Sequence, residues 1–331
     1  SAISGATGDD LQKLTEKAKE MGAKTKFSAT ESAQAFEYMA MAGWKTDDML
    51  NGIEGIMNLA AASGEDLATT SDIVTDALTA MGLQASDSGH FADVLAAASS
   101  NSNTNVGMMG ETFKYVAPVA GALGYNIEDL SQAIGLMANS GIKSTQAGTA
   151  LRSILTRLAK PPKEAAAAMK KYDISMKNSD GSMKSLMEVM ENMRDSLRGL
   201  PKDEKAAAAA ALGGQEAMSG LLSIVNASDT DFKKLASSIK NADGASEKMA
   251  NTMNDNLKGS ITIAGSALEG FGINVYEKME KPLKSAVDAG TEDINRLSSA
   301  FTADGLNGVV EEAGKIFNDT CDEVDKFGPA A

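Results

Sequence analysis

Apolar residues recur along this chain at spacings of three and four, in short blocks that end at glycine. Ser28-Ala29-Thr30-Glu31 has the form of a capping box, in which serine accepts from the third helical N–H and glutamate reaches back. The helix it opens carries Ala35, Phe36, Met39 and Ala42 on one face and stops at Gly43, a residue suited to the left-handed C-terminal position. Thr46-Asp47-Asp48 caps a second helix with carboxylates where the N-terminal dipole favours them. That helix buries Met49, Ile53, Ile56, Met57 and Ala60 before Ser63-Gly64. Further helices are predicted over about 66–81, 86–99, 107–123, 127–140 and 145–159, with the Ser- and Asn-rich stretch 99–105 as a loop.

Pro161-Pro162 closes this block. Beyond it, 174–181 reads as a short extended segment entering a turn, a candidate hairpin. Short helices come next, separated by Gly199-Leu200-Pro201 and Gly213-Gly214. From Ala245 the pattern changes to long amphipathic runs, broken at Lys281-Pro282 and Asp304-Gly305. The expected fold is therefore all-α, a multi-helix compact core with short glycine-terminated helices followed by longer amphipathic helices. Three regions are expected: a helical core over 1–160, a helical continuation with a short hairpin over 161–244, and an extended amphipathic region over 245–331. An internal echo accompanies the pattern. Gly43-Trp44, Gly82-Leu83 and Gly124-Tyr125 each pair glycine with a large apolar residue, and each precedes an acidic helix start at Asp47, Asp87 or Glu128. The spacing is similar to that of helical-hairpin repeats.

Composition agrees with helices and removes several functions. The chain has 331 residues, of which 43% are hydrophobic and only 5% aromatic, with 6 prolines and 19 methionines. Alanine and methionine favour helix, and strand formers are sparse. A net charge of −14 argues against nucleic-acid binding, which depends on cationic neutralisation of phosphates. A single cysteine, Cys321, excludes an intrachain disulfide, and one histidine with one cysteine excludes His/Cys zinc sites. No apolar stretch reaches the ~18–20 residues of a membrane span. The nearest, 260–275, carries Glu269 and is interrupted by Gly265, Gly270 and Gly272. The chain begins at Ser1 without a signal peptide, and its numbering is expected to start inside a longer protein.

Candidate chemistry fails on inspection. The segment from Gly135 to Ser144 invites comparison with a phosphate loop, but five residues separate Gly135 from Gly141 and Ile142 intervenes before Lys143. It reads as a helix-to-helix connection. His90 lies between Asp87 and Asp93, without a nucleophile nearby, and reads as a surface histidine beside helix-start carboxylates. Cys321 is surrounded by Asp319, Asp322 and Glu323, which disfavour a thiolate. Glu111 and Glu128 are isolated, and no HExxH, GxSxG or paired-cysteine signature occurs. No catalytic, cofactor-binding or metal-binding residue is assigned, and no enzyme activity is expected. Met183, Met187, Met190 and Met193 fall at helical spacing and read as core; Met249 and Met253 fit core or a self-association face.

The order of several segments resembles the core region of phage tail tape measure proteins. They are Phe27-Ser28-Ala29-Thr30-Glu31, Met41-Ala42-Gly43-Trp44, Asn58-Leu59-Ala60-Ala61-Ala62-Ser63-Gly64, Asp66-Leu67 and Ser71-Asp72-Ile73-Val74. Tyr115-Val116-Ala117-Pro118-Val119-Ala120 and Gly141-Ile142-Lys143 continue it. The most specific element is Ala147-Gly148-Thr149-Ala150-Leu151-Arg152, followed by Leu155-Thr156-Arg157-Leu158 and Pro161. The resemblance implies a virion structural protein that lies in the tail tube lumen, sets tail length during assembly in the host cytoplasm, and leaves before DNA passes. Implied partners are the tail tube protein, tail assembly chaperones and tail-tip or baseplate proteins, together with further copies in a homo-oligomer. Sequence-specific nucleic-acid binding and cofactors are not implied. The alternative is a membrane-active ejection component making transient contact with the host envelope through 260–275. A helix of this length spans roughly 500 Å at ~1.5 Å per residue, short for a complete ruler, so a longer parent protein is expected.

Overall fold

The computed structural model describes residues 5–255 and 257–326. The chain forms α1 (Asp9–Lys24), α2 (Ala29–Met41), α3 (Thr46–Ser63), α4 (Leu67–Met81), α5 (Ser88–Ser100), α6 (Val106–Ala122), α7 (Ile127–Asn139) and α8 (Ser144–Ala159). It continues through α9 (Lys163–Lys171), α10 (Leu186–Leu197), α11 (Lys202–Gly213), α12 (Met218–Asn226), α13 (Asp229–Lys240), α14 (Ala245–Asn254) and α15 (Leu257–Lys326). A 3-10 turn, Ala85–Asp87, precedes α5. The fold is all-α. In the segment expected to form a hairpin, one antiparallel bridge joins Lys177 and Met183. Asn178 N–H donates to Ser182 O at 2.9 Å around Gly181, and no strand develops among the described residues.

The caps explain why the helix boundaries agree with the sequence. Glu31 N–H donates to Ser28 Oγ at 3.1 Å and Ser28 N–H to Glu31 Oε2 at 2.8 Å, completing the capping box. Helix ends repeat one device. Trp44 N–H donates to Met39 O, Leu83 N–H to Leu78 O, Tyr125 N–H to Ala120 O and Ile142 N–H to Met137 O. In each case the preceding glycine holds positive φ and the apolar residue after it is drawn back onto the helix. The internal echo is thus a recurrent C-cap. At Trp44 this cap also positions a tertiary contact: the ring fills the space a side chain on Gly52 would take, and so links the end of α2 to α3.

Two compact units divide between Glu269 and Gly270. In the first, α3 and α5 are buried almost all round, with Ile53, Ile56, Leu59, Phe91, Val94 and Leu95 excluded from solvent. Phe91 meets Phe113 of α6 edge-to-face at 5.3 Å between centroids. Around this centre α6 packs on α4 and α8, α11 on α8, α9 and α12, and α7 on α12 and α13. α1 has no counterpart in the sequence expectation. It is rich in Lys and Glu and buries only Leu14, Ala18, Met21 and Gly22, too narrow a stripe to stand out from its polar surroundings. The segment from Ala245 was expected to be extended, yet it begins with α14 lying against α3 and α5. α14 buries only Ser246 and Ala250, and a carboxylate distant in sequence holds its start, so apolar periodicity carries no sign of this docking.

The backbone of α15 stays helical through Lys281-Pro282, where a break was expected. A proline inside a helix removes one hydrogen bond and bends the helix without an obligatory stop. The expected break at Asp304-Gly305 is present: φ is −143° at Asp304 and 58° at Gly305. Within the second unit, Arg296 Nε then donates to Glu312 Oε1 at 2.8 Å, 16 positions along the chain. On one straight helix such residues would stand about 24 Å apart, so the two arms lie side by side.

Candidate functional site

The most specific motif builds a helix seam. Ala147, Ala150 and Leu151 are buried, and a Cβ on Gly148 would stand 2.7 Å from Tyr115 Cβ and 2.8 Å from Thr112 O. Glycine therefore lets α8 approach α6 closely. Thr112 Oγ1 donates to Ser144 O at 3.0 Å across the same crossing. Arg152 sits over the Tyr115 ring at 6.0 Å on the outer side. One turn on, Ser153 Oγ donates to Gly213 O at 2.8 Å. Arg157 donates from Nη2 to Ala211 O at 3.0 Å and from Nε to Leu212 O at 3.3 Å. These carbonyls end α11, where a helix lacks internal donors and favours a cation. The motif is packing and capping, not chemistry.

A second network has no visible trace in the sequence. Arg194 of α10 is 5% exposed and donates through Nη1 to Ile224 O and Ala227 O, both at 2.8 Å, and through Nη2 to Asp229 Oδ1 at 2.9 Å. Its guanidinium lies 4.3 Å from the Phe232 centroid. One side chain thus joins the C-terminus of α12 to the N-terminus of α13. Asp229 also accepts from Arg198, whose hydrogen bond is the main cause holding its carboxyl below the usual range. Asp129, on α7, accepts from Met187 N–H at 3.0 Å at the start of α10. Burial pushes its carboxyl above the ordinary value, opposed by that hydrogen bond. Tyr125 nearby is pushed up to about 12, by burial first and then by the Asp129 charge.

The sequence candidates fall into structural roles. His90 Nε2 lies 2.6 Å from Glu128 Oε1, in the first turn of α7, and Nδ1 lies 3.9 Å from Asp243. Its sequence neighbours are occupied elsewhere: Asp87 accepts from Gln84 N–H, and Asp93 accepts from Gly244 and Ser246. Glu111 pairs with Lys114, which also reaches Asp72 at 3.3 Å. Gly141 carries φ 86° between α7 and α8, and Ile142 N–H is spent on Met137 O, so the 135–144 segment offers no phosphate cradle. Met190 and Met193 are buried and Met187 partly so, whereas Met183 is exposed. Met249 packs against the core and accepts from Ser100 Oγ, while Met253 is exposed. The Cys321 side chain lies outside the described residues.

Among the described residues there is no cluster of His, Cys, Asp and Glu able to hold a metal ion. No helix among them is long and apolar enough to cross a membrane. In the second unit, taken alone, large apolar residues stand in solvent: Phe271, Tyr276, Ile294, Phe301, Leu306 and Val310. Leu306 is 75% and Val310 73% exposed.

The described helices form an all-α fold whose most specific motif is built from helix-packing and capping residues, and the family comes from comparison with known proteins. The family model described as phage-related minor tail protein matches residues 15–214, and the chain belongs to this family of phage tail proteins. A tape measure protein of Pneumococcus phage Dp-1 is 38% identical over 291 residues, which is 88% of this chain and 25% of that protein. A probable tape measure protein of Escherichia phage P2 is 26% identical over 89% of this chain and 37% of its own length. A probable tape measure protein of Clostridium phage phiCD119 is 23% identical over 100% of this chain and 36% of its own. The chain thus spans between a quarter and a little over a third of the length of these relatives. No solved structure matches it.

Proposed function

We propose that this chain is the folded segment of a tape measure protein, a non-enzymatic structural component of a phage or prophage tail. The observation that carries the reading is the 38% identity to a tape measure protein across 88% of the chain. In this reading the parent protein occupies the tail tube lumen, sets tail length as the tube assembles in the host cytoplasm, and leaves before DNA. Tail tube, assembly chaperones and tail-tip proteins are its partners. The helices of the first unit are a packed body. Removing residues from them unfolds the body and does not shorten a rod, so the ruler is sought in long helices of the parent.

Electron microscopy of assembled tails tests this. Deleting whole helical turns from the parent's long helices should shorten tails by roughly 1.5 Å per residue removed. Deleting a similar number between Ala147 and Leu158 should stop assembly. Tails of normal length after both deletions would overturn the reading.

The same proposal assigns the exposed apolar residues of the second unit to contact with further copies of the chain. Supporting it are the exposed Phe271, Ile294, Phe301 and Val310, which a helix covers by packing on another helix. Sedimentation analysis of wild type against a Phe301→Ser, Ile294→Ser variant reads this directly. An oligomer that loses mass in the variant supports the assignment, and a wild-type monomer at high concentration removes it.

A further inference from the structure

In the first unit one helix takes its whole N-terminal cap from a carboxylate on a distant helix. α14 is ten residues long and fully buries only Ser246 and Ala250, with Ala245 and Met249 packed partly against the core. The residue at its N-terminus, Gly244, has φ 74° and brings no side chain to cap the helix. The cap comes from Asp93 in the middle of α5, 151 positions away: Gly244 N–H donates to Oδ2 at 2.8 Å, and Ser246 N–H and Oγ donate to Oδ1 at 2.9 and 2.6 Å. Further along, Ser100 Oγ meets Met249 Sδ at 3.2 Å, so α14 runs in the same direction as α5. After it, Asp255 leaves helical geometry (φ −76°, ψ 64°). The stretch of α15 that belongs to this unit is held at its far end. Ser266 Oγ donates to Lys26 O at 3.1 Å and Thr30 Oγ1 to Glu269 Oε1 at 2.8 Å, while Ile261 and Leu268 face solvent.

We infer that α14, with residues 259–269 of α15, is a detachable strap latched by Asp93. It opens as a local unit while α3, α5 and the helices around them stay folded. Two physical arguments support this. Burial of apolar area is what makes an element part of the cooperative core, and α14 contributes little of it, whereas α3 and α5 are buried on nearly every side. The three hydrogen bonds to one carboxylate are lost together, because they share a single acceptor group at the helix start, where capping and the helix dipole both act. A helix this short does not persist once its cap and its packing are gone. The latch therefore sets the frequency of opening. The inference does not depend on the tape measure reading.

Hydrogen–deuterium exchange with mass spectrometry on the full chain tests it, comparing wild type, Asp93→Asn and Gly244→Ala. In wild type the amides of 247–255 should exchange ahead of those in α3 and α5. Asp93→Asn removes the charge from the cap, and Gly244→Ala strains a left-handed backbone with open space around it. Each should accelerate exchange in 247–255 and 259–269 by roughly tenfold or more and leave α3 and α5 at wild-type rates. Exchange in α14 as slow as in α5 would overturn the inference. So would acceleration spread evenly over α3, α5 and α14 in either variant, or a chain unfolded throughout by Asp93→Asn, since either makes the strap part of the core.

Discussion

Gly148 and Tyr115 meet at a close approach in the α6–α8 crossing, where a methyl group on the glycine would lie 2.7 Å from Tyr115 Cβ. Backbone blocks the other side, with Thr112 O at 2.8 Å, so a rotamer change cannot make room. Gly148→Ala should therefore destabilise the chain by about 1–3 kcal/mol even though alanine favours helix. Gly89→Ala, in the first turn of α5 with nothing within 4 Å, should show the opposite sign, a gain of up to about 1 kcal/mol. Urea unfolding of the two variants beside wild type reads both.

Arg194 satisfies two carbonyls at the end of α12 and the Asp229 carboxylate at the start of α13. Arg194→Leu leaves those buried acceptors without donors and should cost about 3 kcal/mol or more. Arg194→Lys keeps the charge but lacks the planar fork that reaches two helices at once, so it should recover only part of the loss. The ordering Arg, Lys, Leu in thermal midpoint is the expected result, and equal midpoints for Lys and Leu would show that the charge contributes nothing.

Much of the first unit is legible in the sequence because helix ends are written locally. Ser28 with Glu31, Asp66, and the glycines at 43, 64, 82, 124 and 141 act within a few residues of where they stand. The motif around Gly148 is legible as a pattern, but its meaning as a helix crossing needs the partner helix. Long-range polar interactions leave no local trace. Asp93 stands beside His90 in sequence and suggests acid–base chemistry, yet its carboxylate is spent on amides at 244 and 246. Nothing in the sequence singles out Arg194, because its partners are the ends of α12 and α13. The helix start at Ala245 is legible, but the docking of α14 is hidden for the same reason, since the carboxylate that caps it stands on α5.

Asp129 gives a pH signature. Burial raises its carboxyl above 3.8, so over a window above that value the folded chain holds a proton that the unfolded chain has lost. Its contribution to stability is greatest at low pH and falls as pH rises through the folded-state value. Asp129→Asn keeps an acceptor for Met187 N–H and removes the buried charge. The variant should be more stable than wild type at pH 7, and the difference should shrink to nothing below about pH 3.8. Unfolding midpoints of both chains across that range measure the difference, and a gain that persists at the acid end would point to packing as its cause.

The hairpin of the second unit turns at Asp304 and Gly305 and brings its arms close together at Gly308. A Cβ on Gly308 would lie 2.4 Å from Ala300 O and 3.2 Å from Asp304 Cβ, so the returning arm has room only for glycine there. Arg296 and Glu312 then pair across the two arms, and that hydrogen bond holds the Glu312 carboxyl below its usual range. Because the pair is not deeply buried, it fixes register more than it adds stability. Gly308→Leu should force the arms apart, whereas Gly314→Leu, with open space around it, should leave them together. Paired cysteines at Asn295 and Glu311 in a Cys321→Ser background report the outcome through a crosslinker of about 10 Å. A straight helix would hold them about 24 Å apart, beyond its reach. Crosslinking in the parent and in Gly314→Leu, with loss in Gly308→Leu, is the expected result. Equal crosslinking in all three would mean that the turn at Asp304 and Gly305 alone closes the hairpin, and no crosslinking in any would mean that the second unit is a straight helix in solution.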